Sequence, residues 1–205
     1  MNWPTKLPLI AILRGITPEE AESHVGALID AGFDAIEIPL NSPAWQQSIP
    51  RMVKIYGSQA LIGAGTVLNV QQVDLLAGFN SQLVVTPNTD VAVIRRAAEK
   101  GMVIAAGCAT ASEAFTALNA GAQVLKIFPA SAFGPDYIKA LKAVLPAEVP
   151  VFAVGGVTPE NLKTFLDAGC AGAGLGSDLY RAGQSPAMTR EKAGAFVQAW
   201  QKAVQ

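Results

Sequence analysis

A (β/α)8 barrel in a single domain is predicted by three observations taken together. Short apolar runs alternate with helical segments from one end of the chain to the other. A glycine or proline stop closes the helical segments roughly every 20–25 residues, the length of one βα unit. Eight such pairs fit within 205 residues, near the short end for this fold. An open doubly wound sheet is the competing architecture. Against it, no GxGxxG opens the first unit and no composition shift divides the chain, so one domain spans residues 1–205.

Each element has its own local reason. The first strand is expected at Leu9–Leu13, and Thr17 with Glu20 then gives the spacing of a capping box, with Pro18 at the first helical position. Gly32 stops that helix before a second strand at Ala35–Leu40. Gly57 precedes the third, Ala60–Gly65, after which Asn69 and Gln72 start a helix. Gly78 precedes the fourth strand, Gln82–Thr86, and Gly101 the fifth, Met102–Ala106. Thr110 and Glu113 cap the next helix, and Gly121 ends it. The sixth strand, Gln123–Phe128, is followed by Pro129 and a loop of small residues. Pro146 punctuates the chain before the seventh, Val151–Val154, and Thr158-Pro159 offers another helix start. Gly169 precedes the eighth, Ala171–Leu175, and a last helix covers Ala187–Val204. The strands are rich in Val, Ile, Leu and Ala and apolar on both faces, as a parallel sheet covered by helices requires.

Composition narrows the function. With 51% hydrophobic residues, 15% charged residues and a net charge of −1, the chain has no electrostatic case for nucleic acid or an anionic membrane surface. No apolar run reaches the roughly 18 residues of a membrane helix. The run Leu7–Leu13 ends at Arg14 without a small-residue cleavage pattern, so it does not read as a signal peptide. Cys108, Cys170 and the single His24 are too few and too scattered for a Cys/His metal site; the cysteines read as reduced core thiols of a cytosolic protein.

In such barrels the active site lies at the C-terminal ends of the strands. Three predicted strands carry an ionisable group in or just at that end: Arg14 after the first, Glu37 in the second, Lys126 in the sixth. Lys126 stands among Val124, Leu125, Ile127 and Phe128; taken alone it reads either as a lysine whose stem packs while its head reaches water or as one whose burial lowers its pKa toward a neutral, nucleophilic amine. Strand alternation puts it on one face with Val124 and Phe128, and Glu37 on one face with Ala35 and Pro39. If both faces are interior, an acid and an amine share a pocket. As a buried ion pair serving only stability, such a couple would be a poor choice. The fork of Arg14 suits a carboxylate. Gly155-Gly156 and Gly176-Ser177 end the seventh and eighth strands, the usual phosphate position of the barrel. Thr66, after Gly63-Ala64-Gly65, offers either a hydroxyl to the pocket or a helix cap.

These residues together resemble the class I pyruvate aldolases that cleave 2-keto-3-deoxy-6-phosphosugar acids. The likeness runs over nearly the whole chain. It is carried by the lysine motif from Gly121 through Lys126 and Pro129 to Gly134, and by the glutamate motif Gly32-Phe-Asp-Ala-Ile-Glu37-Ile-Pro-Leu40. The turns at Gly63–Thr66, Val85–Pro87, Gly155–Val157 and Gly176-Ser177 fall where that family places pocket loops. The phosphogluconate branch usually has an arginine four residues after the glutamate, where Asn41 stands here. The run Ile38–Pro43, with Val154 ahead of the glycine pair, looks instead like the 2-dehydro-3-deoxy-6-phosphogalactonate branch.

The resemblance implies a Schiff base on Lys126, proton transfer by Glu37, and an iminium as electron sink, with no metal and no cofactor. It implies that Arg14 and Thr66 hold the substrate carboxylate, that Pro87 and Phe128 shape the pocket, and that Gly155, Gly156, Gly176 and Ser177 hold the phosphate. Val154, where a threonine could bond a substrate hydroxyl, would bear on the choice between C4 epimers. The expected partner is a phosphorylated keto acid, and the expected assembly a homotrimer. Within the family the alternative substrate is the phosphogluconate epimer, and two readings outside it compete. A phosphosugar isomerase on the same barrel would use Glu37 as base with no covalent adduct. A regulatory phosphate-binding barrel would have no use for a buried Lys–Glu couple.

Overall fold

The computed structural model describes residues 3–205. Eight strands alternate with eight helices: β1 (Leu9–Ile12), α1 (Pro18–Asp30), β2 (Ala35–Pro39), α2 (Trp45–Tyr56), β3 (Leu61–Gly65), α3 (Val70–Gly78), β4 (Leu83–Val85), α4 (Val91–Glu99), β5 (Val103–Cys108), α5 (Ala111–Ala120), β6 (Val124–Ile127), α6 (Ala130–Lys142), β7 (Val151–Val154), α7 (Leu162–Asp167), β8 (Gly172–Leu175) and α8 (Pro186–Val204). All neighbouring strands are parallel and the sheet closes where β8 pairs with β1, giving the expected single-domain (β/α)8 barrel. No helix among the described residues is long and apolar enough to cross a membrane.

The strands are buried because both faces are covered. Their outward side chains join the helices in one continuous core that includes Leu9, Ile36, Ile62, Val84, Ile104, Leu125 and Val151. The inward side chains form a second, separate cluster, with Ile10, Ala35, Leu83, Val85, Ala105, Val124 and Phe152 filling the barrel. Trp3 closes the N-terminal end, its ring 4.8 Å from that of Phe152. Two layers of apolar packing thus leave only the C-terminal mouth for chemistry. Cys108 and Cys170 are both free and buried, and burial pushes each thiol up to about 12.

Local signals succeed at most element ends. Thr110 and Glu113 form a reciprocal capping box, and Asn69 accepts from the Gln72 N–H at 2.9 Å. Gly32, Gly101, Gly121 and Gly169 take the left-handed conformation expected of helix stops. Five expectations need correction. Gly57 stays right-handed, and Gly78 is the last residue of α3, where Asn80 (φ 57°) makes the left-handed turn instead. Pro159 does not start a helix. Thr158 and Asn161 exchange hydrogen bonds of 2.8 and 3.3 Å, and this closed turn delays α7 to Leu162. The small residues after Pro129 are not a loop but the first turn of α6, which breaks at Gly134 (φ 78°) and restarts at Pro135. Finally, β5 runs two residues further than Ala106, because Gly107 and Cys108 still pair with Lys126 and Ile127.

Candidate active site

β6 sets Lys126 into the barrel interior one step above Val124, between Gly107 of β5 and Phe152 of β7 in the ladder register. β2 sets Glu37 one step above Ala35, between Ile12 of β1 and Gly63 of β3. Both side chains are buried, at 6% and 2% exposure, so neither charge is solvated at bulk strength. Burial holds the Lys126 ammonium below the usual lysine range; the Glu37 carboxylate opposes this and Arg14 adds to it. Burial raises Glu37 to about 7, against the opposing pull of Lys126, Arg14 and the Gly65 backbone. Burial is the first cause in both cases. Each group is moved toward its neutral form.

No ion pair among the described residues joins these two groups, and Glu37 Oε2 is buried without a hydrogen-bond partner. They act on one another through space, and each stays available to a third reactant. The room for the carboxyl group comes from Gly65 on β3: a Cβ there would lie 2.1–2.3 Å from the Glu37 carboxyl atoms. The acid occupies the volume that a side chain on β3 would fill.

Above this couple opens a cavity of about 610 Å³ lined by Arg14, Thr66, Pro87, Lys126, Phe128, Val154, Gly155, Gly156, Gly176 and Ser177. Every pocket residue expected from the sequence is on its wall except Glu37, which lies outside the lining. Arg14 Nη1 donates to Asn41 Oδ1 at 2.7 Å, and the next amide, Gly15 N–H, donates to Ser42 Oγ at 2.9 Å. The β1 and β2 loops are therefore clasped together beside the mouth. Thr66 is not a helix cap, since Asn69 caps α3. It holds φ at 55°, a costly conformation for a β-branched residue, and lines the cavity. Thr86 is buried beneath Pro87; its hydroxyl donates to the Asn88 carbonyl at 2.7 Å and accepts from Gly107 N–H at 3.1 Å. The Phe128 ring is 5.0 Å from Lys126 Nζ and packs against Gly155. Val154 sits 5% exposed on the cavity wall, with Gly174 of β8 giving way to its methyl groups.

Across the mouth, Gly155 and Gly156 have φ of 96° and 72°, left-handed conformations that glycine adopts without steric cost. The N–H groups of Gly156, Val157, Ser177 and Asp178 take no hydrogen-bond partner among the described residues. The wall holds further residues that the sequence reading did not single out, among them Asp178, Tyr180 and Arg181. Their signal was position alone, as the continuation of the loop that begins at Gly176-Ser177.

A buried amine and a near-neutral carboxyl at the C-terminal mouth of a parallel barrel, facing a rim of free backbone N–H groups, define a candidate enzyme site. The chain belongs to the KDPG and KHG aldolase family, whose model matches residues 2–192. It is 71% identical over 205 residues to the 2-dehydro-3-deoxy-6-phosphogalactonate aldolase of Escherichia coli strain K12, covering 100% of both chains. It is 51% identical over 197 residues to a probable aldolase of the same specificity from Rhizobium meliloti strain 1021, covering 96% of this chain and 93% of the other. A solved native KDPGal structure, 71% identical and covered in full, superposes with a TM-score of 0.99. The KHG/KDPG aldolase of Escherichia coli strain K12 is more distant, at 28% identity over 174 residues.

Proposed function

We propose that this protein is a class I aldolase that cleaves 2-dehydro-3-deoxy-6-phosphogalactonate to pyruvate and glyceraldehyde 3-phosphate, as a step of galactonate breakdown. The observation that carries the proposal is the buried, unpaired Lys126–Glu37 couple beside a cavity with a rim of free backbone N–H groups on its far side. The 71% identity over the full chain supports the same substrate. The reaction follows from the arrangement. Lys126, as the free amine, attacks the C2 carbonyl and gives a carbinolamine. Glu37, acting through a water, delivers the proton with which hydroxide leaves, and the iminium forms. Glu37, now ionised, takes the proton of the C4 hydroxyl. The C3–C4 bond breaks, its electrons pass into the iminium as an enamine, and the aldehyde leaves. Protonation at C3 and hydrolysis then return pyruvate and the free lysine.

A carboxyl raised to about 7 suits both directions of this proton traffic at neutral pH. Arg14 and Thr66 receive the carboxylate, Pro87 and Phe128 confine the chain, and Gly155, Gly156, Gly176 and Ser177 receive the phosphate. Val154 presents methyl groups where a threonine would offer a hydroxyl, so the site gives no donor to one C4 configuration at that point. We read the working form as a homotrimer in the cytoplasm. Free, buried cysteines agree with a reducing compartment. A solved porous cage built by fusing symmetric oligomeric domains contains a chain 71% identical to this one, the match covering 98% of this chain and 74% of the other, which supports self-association.

The decisive experiment is trapping. Pyruvate with sodium borohydride is expected to add one reduced pyruvate to the protein, on the peptide holding Lys126, and nothing to Lys126→Ala. Folded protein that gives no adduct ends the aldolase reading in favour of an isomerase using Glu37 as base. For the epimer, Val154→Thr is expected to shift the kcat/KM ratio toward the gluconate epimer by about 10-fold. An unmoved ratio removes Val154 from epimer choice.

A further inference from the structure

We propose that Arg181 is the specificity-determining cation for the substrate's phosphate, an inference that rests on the aldolase reading above. The backbone rim supplies neutral N–H donors only. Amides favour an oxyanion but offset little of a dianion's charge, which calls for a cation in reach. Among the described residues on the cavity wall, the cationic side chains are Arg14, Lys126 and Arg181. Lys126 is used as a neutral amine, and Arg14 is clasped to Asn41 on the β1–β2 side. Arg181 stands in the β8 loop with Ser177.

Its geometry is that of a presented group. Arg181 Nε donates to the Ser177 carbonyl at 2.9 Å, so the base of the fork is fixed to the same turn that offers the Ser177 N–H. The two terminal nitrogens take no partner among the described residues. Arg51, Arg96 and Arg190, by contrast, are neutralised by Glu22, by Asp74 with Glu99, and by Asp30. The loop is braced from behind. Arg181 N–H donates to Gln184 Oε1 at 3.1 Å, and Gln184 N–H returns a bond to the Arg181 carbonyl at 3.1 Å. Gln184 Nε2 donates to the Leu179 carbonyl at 2.9 Å and to the hydroxyl of Thr189, buried in α8, at 2.8 Å. Asp178 shares the wall and would repel a dianion, which adds to the need for a cation there. Arg181 therefore gives the enzyme its preference for a phosphorylated over an unphosphorylated keto acid.

The test compares wild type, Arg181→Ala and Arg181→Lys on the phosphorylated substrate and on the same keto acid with a free C6 hydroxyl. Arg181→Ala is expected to raise KM for the phosphorylated substrate about 10- to 100-fold with a much smaller change on the analogue, the size of a lost charge-assisted bond. Arg181→Lys is expected to restore part of the difference. Calorimetric titration with inorganic phosphate, which needs no turnover, is expected to show weaker binding to Arg181→Ala by a similar factor. Borohydride trapping of pyruvate checks the aldolase reading separately in wild type. Equal losses on both substrates, or unchanged phosphate binding, would overturn the proposal whether or not the trapping succeeds.

Discussion

Asn41 illustrates how one residue changes meaning once its neighbour is known. In sequence it marks the absence of an arginine that the phosphogluconate branch would use. In the structure its Oδ1 accepts from Arg14 Nη1 at 2.7 Å, so the position holds an arginine supplied by another strand. The contact joins residues 27 apart in the chain, from the ends of β1 and β2. Nothing local to either segment encodes it. Arg14→Ala is expected to raise KM for pyruvate-bearing substrates by about 10-fold or more, as loss of a guanidinium–carboxylate contact does. Asn41→Ala should move KM the same way by a few-fold, and the double variant should resemble Arg14→Ala alone, because the tether has nothing left to hold. Steady-state kinetics of the three variants decides it. Full additivity would separate Asn41 from Arg14. The burial of Lys126 and Glu37, by contrast, was legible, because each charge stands inside a short apolar run. The place of Arg181 was not, because an arginine in a polar loop has many explanations.

Among the elements, β3 shows what a strand of small residues is for. Leu61-Ile-Gly-Ala-Gly65 has weak intrinsic strand preference, with two glycines in five positions. It is held by complete pairing with β2 from Ala35–Leu61 to Pro39–Gly65, and its glycines leave space for larger neighbours. Gly65→Ala would put a methyl group 2.1 Å from Glu37 Oε2. The carboxyl must then move. The expected result is a folded barrel that loses about 1–3 kcal/mol of stability and at least tenfold in kcat. Gly78→Ala is the control: nothing lies within 4 Å and the residue is helical, so stability should hold or rise by up to about 1 kcal/mol. Urea melts and kcat together test the pair, and a fully active Gly65→Ala would show that Glu37 needs no fixed position. The strands were legible as runs of branched residues. The start of α7 was not, since Asn161 outcompetes Thr158-Pro159 as the helix boundary by closing a turn with its own side chain.

At the scale of the molecule, the closed barrel was legible because its signal repeats: seven stops, eight strands and no interruption. Assembly was not. Large apolar residues such as Leu68, Leu75 and Phe133 are exposed on the single chain at 51%, 50% and 36%, but single exposed apolar groups are ordinary on any surface. Self-association is decided by the geometry of patches rather than by composition. Light scattering is expected to give three times the 21.3 kDa chain mass, and a stable mass of one chain would end the trimer reading.

The plug of Trp3 on Phe152 has a consequence for traffic. A pocket closed at its floor by a packed interior is a dead-end street. On the proposed aldolase reading, the keto-acid half of the substrate, bonded to Lys126, is expected farther in than the phosphate half at the rim, so after cleavage the aldehyde would stand between pyruvate and the door. Departure is first out for the last in. Run backwards, the proposed reaction is expected to admit pyruvate before its partner, an aldehyde that arrives early finding no enamine and blocking the way.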